Sequence, residues 1–417
     1  MSDATGVVAP LAVAIAFAGL GLWRPGWLVP AILALVPFQV RIFPDVEIAT
    51  LALVGGIGAR APQILRVASR DPVATAALAA FPLWIAASAL WARQPSFVPG
   101  TLAKWLALTG AALLAAADDE RDARPVVIGV LTAAIPAGVW ALGERLHWIP
   151  PRGNARDLEA QLIRVGDLVR GRALFHHPNK LAEFLEQVGL FLGAVAFGAR
   201  GICRAARFAS VCGFVLAIAG IWGTGSMGGL GVILAGGLLV AAFVFLPREV
   251  TRWTGPIAVL ALAGAAAVVW LAWERHGGLG SREDVYRFAV DVIGHEPWLG
   301  LGAGNWPLAV GTAPLSVSRY WFRNHPHSLP LMIVAEVGVI GLVLAAVFFA
   351  VPLWIAGRRL PLARGPWRAV GIGAIAAVVA LLAHGLVNYF LRYSVNGIAT
   401  GLMLGLALGA GRRPPAT

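Results

Sequence analysis

Long apolar runs alternate with short charged or Pro/Gly-containing connections along almost the whole chain. A transmembrane helix needs about 20 predominantly apolar residues. Runs of this kind predict twelve spans, at residues 6–22, 27–43, 73–92, 98–117, 125–143, 180–198, 207–223, 229–246, 254–273, 328–356, 369–390 and 395–411. The apolar segment 46–58 is short and rich in glycine, which predicts an interfacial or re-entrant segment instead. Nothing near Met1 resembles a cleaved signal peptide, so the first span is expected to stay in the protein.

Arginines are concentrated in alternate connections, and this pattern predicts the orientation. Cytoplasmic loops of membrane proteins carry an excess of Lys and Arg. With twelve spans the most basic connections share one side, and they hold Arg60, Arg66, Arg70, Arg200, Arg204, Arg207, Arg358, Arg359, Arg364, Arg368, Arg412 and Arg413. The short connections on the other side hold only Arg24, Arg93 and Arg392. We therefore expect both termini in the cytoplasm, whereas a thirteenth span at 46–58 would place them on opposite sides.

The composition excludes an ordinary water-soluble protein. Of the 417 residues, 59% are hydrophobic and 13% are charged, and the mean hydropathy is +0.77, whereas soluble domains carry about 25% charged residues. The net charge of +12 lies between the spans, so nucleic acid is not expected as a partner. Cys203 and Cys212 are the only cysteines and are expected to fill space rather than form a disulfide. The predicted fold class is an all-α polytopic membrane protein, with one integral membrane domain over residues 1–417.

Two long external loops, 144–179 and 274–327, do not follow the charge rule. Their basic residues are arginines, namely Arg145, Arg152, Arg156, Arg164, Arg170, Arg172, Arg275, Arg282, Arg287, Arg319 and Arg323. The guanidinium group can grip phosphate or carboxylate with two hydrogen bonds. An outward-facing, arginine-rich vestibule over a helical bundle indicates an anionic substrate that is presented from the outer leaflet.

A histidine lies where the longer external loop enters a span. His327 is expected near the membrane surface, where a neutral imidazole can accept a proton. Glu336 lies on the opposite helix face and ~13 Å deeper, so the two cannot form a simple acid/base dyad. A carboxylate at that depth is expected to satisfy polar groups between helices.

The end of the first loop reads Gly171-Arg172-Ala-Leu-Phe-His176-His177-Pro178-Asn179. Pro178 predicts that the next helix starts near Asn179, because proline is tolerated in a first turn. Arg172, just above that start, is well placed to meet a lipid-linked anion or to act as a headgroup anchor. The adjacent histidines have no Cys or paired carboxylate nearby, so no metal site is expected.

Residues 281–291 predict an amphipathic external helix. Glu283 and Asp291 each lie four residues from Arg287, which is therefore expected to be neutralised within its own helix. Arg282 has only Tyr286 at that spacing and is the better candidate for a free cation that faces substrate. The glycines that follow predict a tight turn rather than a nucleotide site, because no strand precedes them and no Lys follows; they are Gly300, Gly302 and Gly304.

Motifs that are absent from the sequence narrow the chemistry. No external Asp-X-Asp suits a divalent metal, and there is no Gly-X-Ser-X-Gly nucleophile elbow. Arginines and a histidine without metal, cofactor or nucleophile fit direct displacement of a good leaving group. A transporter or lipid flippase is the alternative class, although no internal repeat or paired broken helices are evident.

These stretches resemble the O-antigen ligase and O-antigen polymerase superfamily of bacterial membrane glycosyltransferases. The family pattern His-Asn-X-X-Leu, followed by Glu-X-Gly-X-X-Gly-Leu, is matched at His327, Leu331, Glu336, Gly338, Gly341 and Leu342. Ser328 replaces the Asn, and Tyr286 stands where Trp is common. The family's Arg-Ala-X-Gly-X-Phe-X-X-Pro-Asn is close to residues 172–179, with one residue fewer before Pro. A family Ser-Arg-Gly stands here as Ser226-Met227-Gly228, which lacks the Arg.

The resemblance implies a GT-C-like fold in the bacterial inner membrane and transfer of a glycan from undecaprenyl diphosphate at the periplasmic face. It implies lipid A core oligosaccharide as the acceptor, with a repeat-unit polymerase or a protein O-oligosaccharyltransferase as alternatives. In this interpretation His327 is the general base of a metal-independent, inverting reaction without a cofactor, and Arg172 and Arg282 grip the diphosphate. Arg319 and Arg323 would hold acceptor phosphates. The expected substrate-binding set also includes Arg287 and Asn179, and the expected partners include membrane lipids.

Overall fold

The computed structural model describes residues 3–39, 41–43, 46–120, 122–150, 164–165, 168–199, 201–245, 281–313, 325–392 and 394–412. Its helices are α1 Asp3–Trp23, α2 Pro25–Leu35, α3 Ile48–Arg70, α4 Pro72–Ala87, α5 Val98–Ala116, α6 Arg124–Arg145, α7 Pro178–Gly198, α8 Arg204–Thr224, α9 Met227–Phe245, α10 Ser281–His295, α11 Trp306–Gly311, α12 Leu329–Arg359, α13 Pro366–Gly385 and α14 Ser394–Ala410. Two short antiparallel hairpins pair β1 Arg41–Phe43 with β2 Val46–Glu47 and β3 Arg164–Val165 with β4 Leu168–Val169.

Length and apolar composition qualify many of these helices as membrane spans. Within the described residues nine can cross a bilayer, namely Ile48–Arg70, Pro72–Leu90, Pro95–Ala116, Arg124–Arg145, Pro178–Gly198, Arg204–Thr224, Met227–Phe245, Leu329–Leu362 and Pro366–Gly385. Ala9–Trp23, Pro25–Leu35 and Ser394–Ala410 are shorter apolar helices. The predicted class of helical polytopic membrane protein is confirmed. The predicted number of twelve is not established, and the predicted span 254–273 lies outside the described residues.

The prediction of an interfacial or re-entrant segment at 46–58 is not supported, because residues 48–58 form the first half of the continuous helix α3, which is long and apolar enough to cross a membrane. The charge of Arg60 made the apolar run look short. In the structure Arg60 is buried, and its guanidinium donates to the Asp119 carboxylate at 3.0 Å and to the Ala117 carbonyl oxygen at 3.5 Å. A charge that is satisfied in this way is compatible with a spanning helix. Arg60, Arg66 and Arg70 therefore lie on α3 and not in a loop.

Helix α1 begins and helix α14 ends at opposite ends of the bundle, which differs from the expectation that both termini share one side. Helix α1 runs parallel to α3, since Gly55 packs on the Ala14 carbonyl and Gly21 packs near Ala59. Helix α14 ends beside the carbonyl oxygen of Arg359, at the end where α3 finishes. The physical reason is that α3 adds one passage along the bundle that the sequence prediction did not count.

The short connection between α1 and α2 also lies at the end of the bundle opposite to the predicted one. Gly26 packs against the carboxylate of Glu120, next to the connection between α5 and α6. Arg24 in this connection therefore belongs to the basic end and not to the other side, where the sequence placed it. The change makes the charge asymmetry stronger than predicted, because one exception to it disappears.

The centre of the bundle is formed by α7, α13 and α14, whose residues are almost all buried. Small residues allow the backbones to approach closely, as is usual between membrane helices. On α14, Gly401 and Gly405 pack directly on the carbonyl groups of Leu108 and Ala112 in α5. This packing fixes the positions at which the helices begin and end. It therefore also fixes the positions of the loops that join them.

Helix α12 is interrupted at Val337 and Gly338, and residues 297–301 fill the break. The φ/ψ pair of Gly338 is 71°/−178°, which is open essentially to glycine alone. The backbone N–H of Val339 donates to the Pro297 carbonyl at 2.8 Å, and that of Leu301 donates to the Ala335 carbonyl at 3.0 Å. The broken helix therefore anchors residues 297–301 of the second external loop.

We expect Gly338→Ala to destabilise the protein, because a Cβ there would collide with the Trp298 carbonyl and the backbone angles would be strained. The expected loss is about 1–3 kcal/mol, seen as a lower melting temperature in detergent. Gly237→Ala is the matched control, since a Cβ at that helical position meets nothing within 4 Å. Equal melting temperatures for the two variants would contradict this account of the break.

Candidate functional site

Most of the residues that the sequence selected lie at one end of the bundle. Helices α6 and α8 end there and helices α7 and α12 begin there, so the loops on either side of these helices share one surface. Helix α10 of the second external loop lies across the start of α12, and its Tyr286 contacts His327. The segment 386–392, which follows α13, completes the surface from below, with Tyr389 against His325.

Arg170 is a firmly anchored cation of this surface, and the sequence analysis did not select it. Its Nε donates to the Thr224 carbonyl at 2.8 Å and its Nη2 donates to the Asn179 Oδ1 at 2.6 Å. Burial lowers the pKa of the Arg170 guanidinium, and the positive charges of Arg282 and Arg145 lower it further. A bound anion would relieve this repulsion between like charges. The feature of the sequence that could have identified Arg170 is its position two residues before the selected Arg172.

Arg282 reaches the same cluster from α10. Its Nη1 donates to the Val387 carbonyl at 3.2 Å, and its charge lies close enough to the Tyr286 hydroxyl to lower the pKa of that group. Both partners are neutral, so within the described residues no carboxylate pairs with Arg282, in line with its predicted spacing. The guanidinium is nevertheless held by its hydrogen bond to the Val387 carbonyl.

Arg287 has the ion pair that its spacing predicted. Its Nη2 lies 2.5 Å from Glu283 Oε1, and both side chains are well exposed. The structure thus separates the two arginines of α10. One is paired on the outer surface of the helix, and the other joins the cationic cluster.

The loop that carries Arg172 is anchored by a buried carboxylate that the sequence analysis did not identify. Glu144, at the end of α6, is fully buried, and its Oε2 accepts the backbone N–H groups of Arg172 at 2.6 Å and of Ala173 at 2.8 Å. Ala173 has a positive φ of 48°, so the turn is a tight one. Glu144 therefore fixes the backbone from which Arg172 projects. Asn179 follows in the first turn of α7 and holds Arg170.

His327 lies directly before α12 in an unusual backbone conformation, with a φ of 52°. Its backbone N–H donates to His325 Nδ1 at 3.2 Å, and its carbonyl accepts the Tyr286 hydroxyl at 3.2 Å. The two imidazoles pack edge to face with ring centroids 4.3 Å apart. The sequence reasoning missed His325, although it lies only two positions before the selected histidine. Arg319 and Arg323 lie outside the described residues.

Glu336 supports the loop above it. It is buried, and its Oε1 accepts the backbone N–H of Trp306 at 3.2 Å. The three glycines before Trp306 all have positive φ, as in the tight turn that the sequence predicted; they are Gly300, Gly302 and Gly304. The contact agrees with the structural role expected of Glu336, and the break in α12 begins at the next residue, Val337.

A buried ionic network lies directly under the histidines. The ring of Tyr389 lies 5.6 Å from that of His325, and its carbonyl accepts a short hydrogen bond from Lys180 Nζ. Lys180 also pairs with Glu183 at 3.0 Å, with both side chains at most 3% exposed. The Glu183 carboxylate accepts a further 2.7 Å hydrogen bond from each of Asn388 and Asn396. The sequence pattern predicted only an apolar span here.

Among the described residues, no three His, Cys, Asp or Glu side chains form a group that could hold a metal ion. The chemical groups at this surface include guanidiniums, imidazoles and a phenol. They can bind an anion and accept a proton.

Comparison with known proteins supports the family resemblance. The O-antigen ligase family model matches residues 212–346, about a third of the chain. The matched region contains Arg282, Tyr286, the two histidines and Glu336. No curated protein matches the chain significantly. The match supports an O-antigen ligase family assignment, in agreement with the resemblance found in the motifs.

We expect Lys180→Met to cost about 3–5 kcal/mol of unfolding free energy, because it leaves the Glu183 charge buried without its cation. The double variant Lys180→Met/Glu183→Gln should recover part of this loss. Denaturation with increasing SDS in mixed micelles measures both. Arg287→Gln, which breaks an exposed pair, is the control and should cost less than about 1 kcal/mol. A double variant as unstable as the sum of its single changes would contradict the pairing.

Proposed function

We propose that this protein is a membrane glycosyltransferase that transfers a glycan from undecaprenyl diphosphate to lipid A core oligosaccharide at the periplasmic face of the inner membrane. The family match supports an O-antigen ligase or polymerase-type function. The observation that carries the finer proposal is the meeting of Arg170, Arg282 and His327 at one end of the bundle. A GT-C-like architecture is part of the proposal.

The arginines supply the site for the diphosphate. Arg170 and Arg282 are close enough for their charges to repel, and neutral groups hold both of them. A diphosphate would bring the negative charge that this cluster lacks. As the glycosidic bond breaks, charge accumulates on the departing diphosphate, and preorganised guanidiniums stabilise it there. We retain the predicted role of Arg172 in the same anion site and add Arg170 to it.

His327 would act as the general base. The acceptor hydroxyl attacks the anomeric carbon, its proton passes to the imidazole, and the undecaprenyl diphosphate leaves from the opposite face. A single displacement of this kind inverts the anomeric configuration and needs no metal. A positioned general base contributes roughly 10²–10⁴-fold to the rate. Arg319 and Arg323 remain proposed contacts to the acceptor phosphates, and Asn179 and Arg287 remain in the proposed substrate-binding set.

An apolar groove supports a lipid-linked donor. It runs between α12 and α13, has a volume of about 500 Å³, and is lined by leucine, isoleucine, valine, alanine and aromatic side chains. Its upper end is formed by Leu329 and Leu386. Leu329 lies two positions after His327. Leu386 directly precedes Val387, whose carbonyl oxygen accepts a hydrogen bond from Arg282. A prenyl chain in the groove would place its diphosphate beside the arginines.

We expect His327→Ala to lower the transfer rate by roughly 10²–10⁴-fold, because the acceptor hydroxyl loses its proton acceptor. The measurement is release of undecaprenyl diphosphate from a lipid-linked oligosaccharide after lipid A core is added to EDTA-treated proteoliposomes. His295→Ala is the matched control, since His295 lies on the exposed end of α10 and bonds its own helix backbone. Full activity of His327→Ala would overturn the base assignment.

We expect lipid A core to be the preferred acceptor when it competes with a second lipid-linked repeat and a pilin-like peptide in the same proteoliposomes. Mass spectrometry of the products identifies the acceptor, and NMR of the new linkage tests inversion. Preference for the second repeat would assign a polymerase, and preference for the peptide a protein O-oligosaccharyltransferase. A flippase would move the donor without releasing its diphosphate, which would reject the enzymatic proposal.

A further inference from the structure

Tyr286 lies between the two groups on which the proposed reaction depends. It follows Arg282 by one turn of α10, so both side chains lie on the same face of that helix. The Arg282 charge lies close enough to the Tyr286 hydroxyl to lower its pKa, and the hydroxyl is 3.2 Å from the His327 carbonyl oxygen. One side chain therefore lies next to the cation and contacts the histidine.

The directions of hydrogen bonds at this hydroxyl are fixed by chemistry. An arginine side chain has donors only, so toward Arg282 the Tyr286 oxygen can act only as an acceptor. A carbonyl oxygen can only accept, so the Tyr286 O–H must donate to His327. Burial raises the pKa of the Tyr286 hydroxyl, while the Arg282 charge opposes that rise. The hydroxyl is therefore protonated at neutral pH and can donate.

The backbone of His327 needs such support. A φ of 52° is sparsely populated for residues with a Cβ, and it persists only where the surroundings hold it. His325 accepts the backbone N–H of His327 from one side, and Tyr286 donates to its carbonyl from the other. The imidazole projects from this restrained backbone, so a shift of the carbonyl would move the ring.

We infer that Tyr286 is a positioning residue that sets the distance between the diphosphate-binding Arg282 and the base His327. The inference rests on the proposed function for its catalytic consequence. A reacting group that is misplaced by about 1 Å can lose roughly a hundredfold in rate, so a link between cation and base has kinetic value. Tyr286 itself need not touch either substrate.

The test is Tyr286→Phe, which removes one hydroxyl and keeps the ring. We expect kcat to fall about tenfold, in the range of one lost hydrogen bond, with the KM for a polyprenyl diphosphate-linked oligosaccharide changed less than twofold. Tyr286→Trp offers an indole N–H donor and should recover part of the rate. Phe288→Leu loosens the edge-to-face contact of α10 with Trp306, centroids 5.8 Å apart, and serves as the packing control. It should leave kcat within twofold.

A double-variant cycle separates positioning from a general loss of structure. In the His327→Ala background, Tyr286→Phe should change the residual rate by less than twofold, because the hydroxyl acts through the histidine. A tenfold fall in both backgrounds would show that the effects are independent and would overturn the inference. So would an unchanged kcat of Tyr286→Phe in the otherwise native protein.

A second measurement does not depend on catalysis. The rate at which diethyl pyrocarbonate modifies His327, followed by mass spectrometry, should rise about threefold in Tyr286→Phe and stay unchanged in Phe288→Leu. An unchanged rate in Tyr286→Phe would reject the positioning role. If the native protein transfers no glycan while this rate rises, the proposed function is wrong and the structural link stands.

Discussion

The buried Glu183 carboxylate is the constraint on which this end of the molecule depends. It accepts hydrogen bonds from Lys180 in its own helix, from Asn388 after α13 and from Asn396 in α14. An ion buried among apolar helices is costly unless its lone pairs are satisfied. Three parts of the chain must therefore stay together around one group. The carbonyl of Tyr389, which also binds Lys180, is held at the same point.

The network continues down α7 and makes this helix a polar ladder inside an apolar bundle. One turn below Glu183, Gln187 accepts from the Thr400 hydroxyl at 3.2 Å, and Glu186 lies 2.7 Å from His384 Nδ1. Polar contacts of this kind fix the rotation and depth of α7 against α13 and α14, which van der Waals packing alone would leave adjustable. The Tyr389 ring beside His325 is thereby placed from within the membrane.

The sequence predicted most of the helices, because a bilayer demands long apolar runs, and it predicted the paired state of Arg287, because both partners lie on one helix. It failed where the outcome depends on a distant residue. Helix α3 was not predicted as a span, because it contains the charged Arg60. The residue that pairs with Arg60 is Asp119, which follows a different helix. Arg170 was passed over for Arg172, because Thr224 and Asn179, which hold it, come from two other elements. His325 was likewise passed over, because stacking on Tyr389 cannot be read from spacing.

The buried carboxylates of this end explain why the site is cationic. Glu144 accepts two backbone N–H groups at the turn before α7, and Glu336 accepts one below the glycine turn. Glu183 serves Lys180 and two asparagines. These carboxylates accept hydrogen bonds from backbone, amide and ammonium groups. The partners of Arg170 and Arg282 among the described residues are therefore neutral. A site of this kind gains most from a ligand that carries several negative charges close together. In the proposed reaction a diphosphate would meet that requirement, and its charge would rise as the sugar departs.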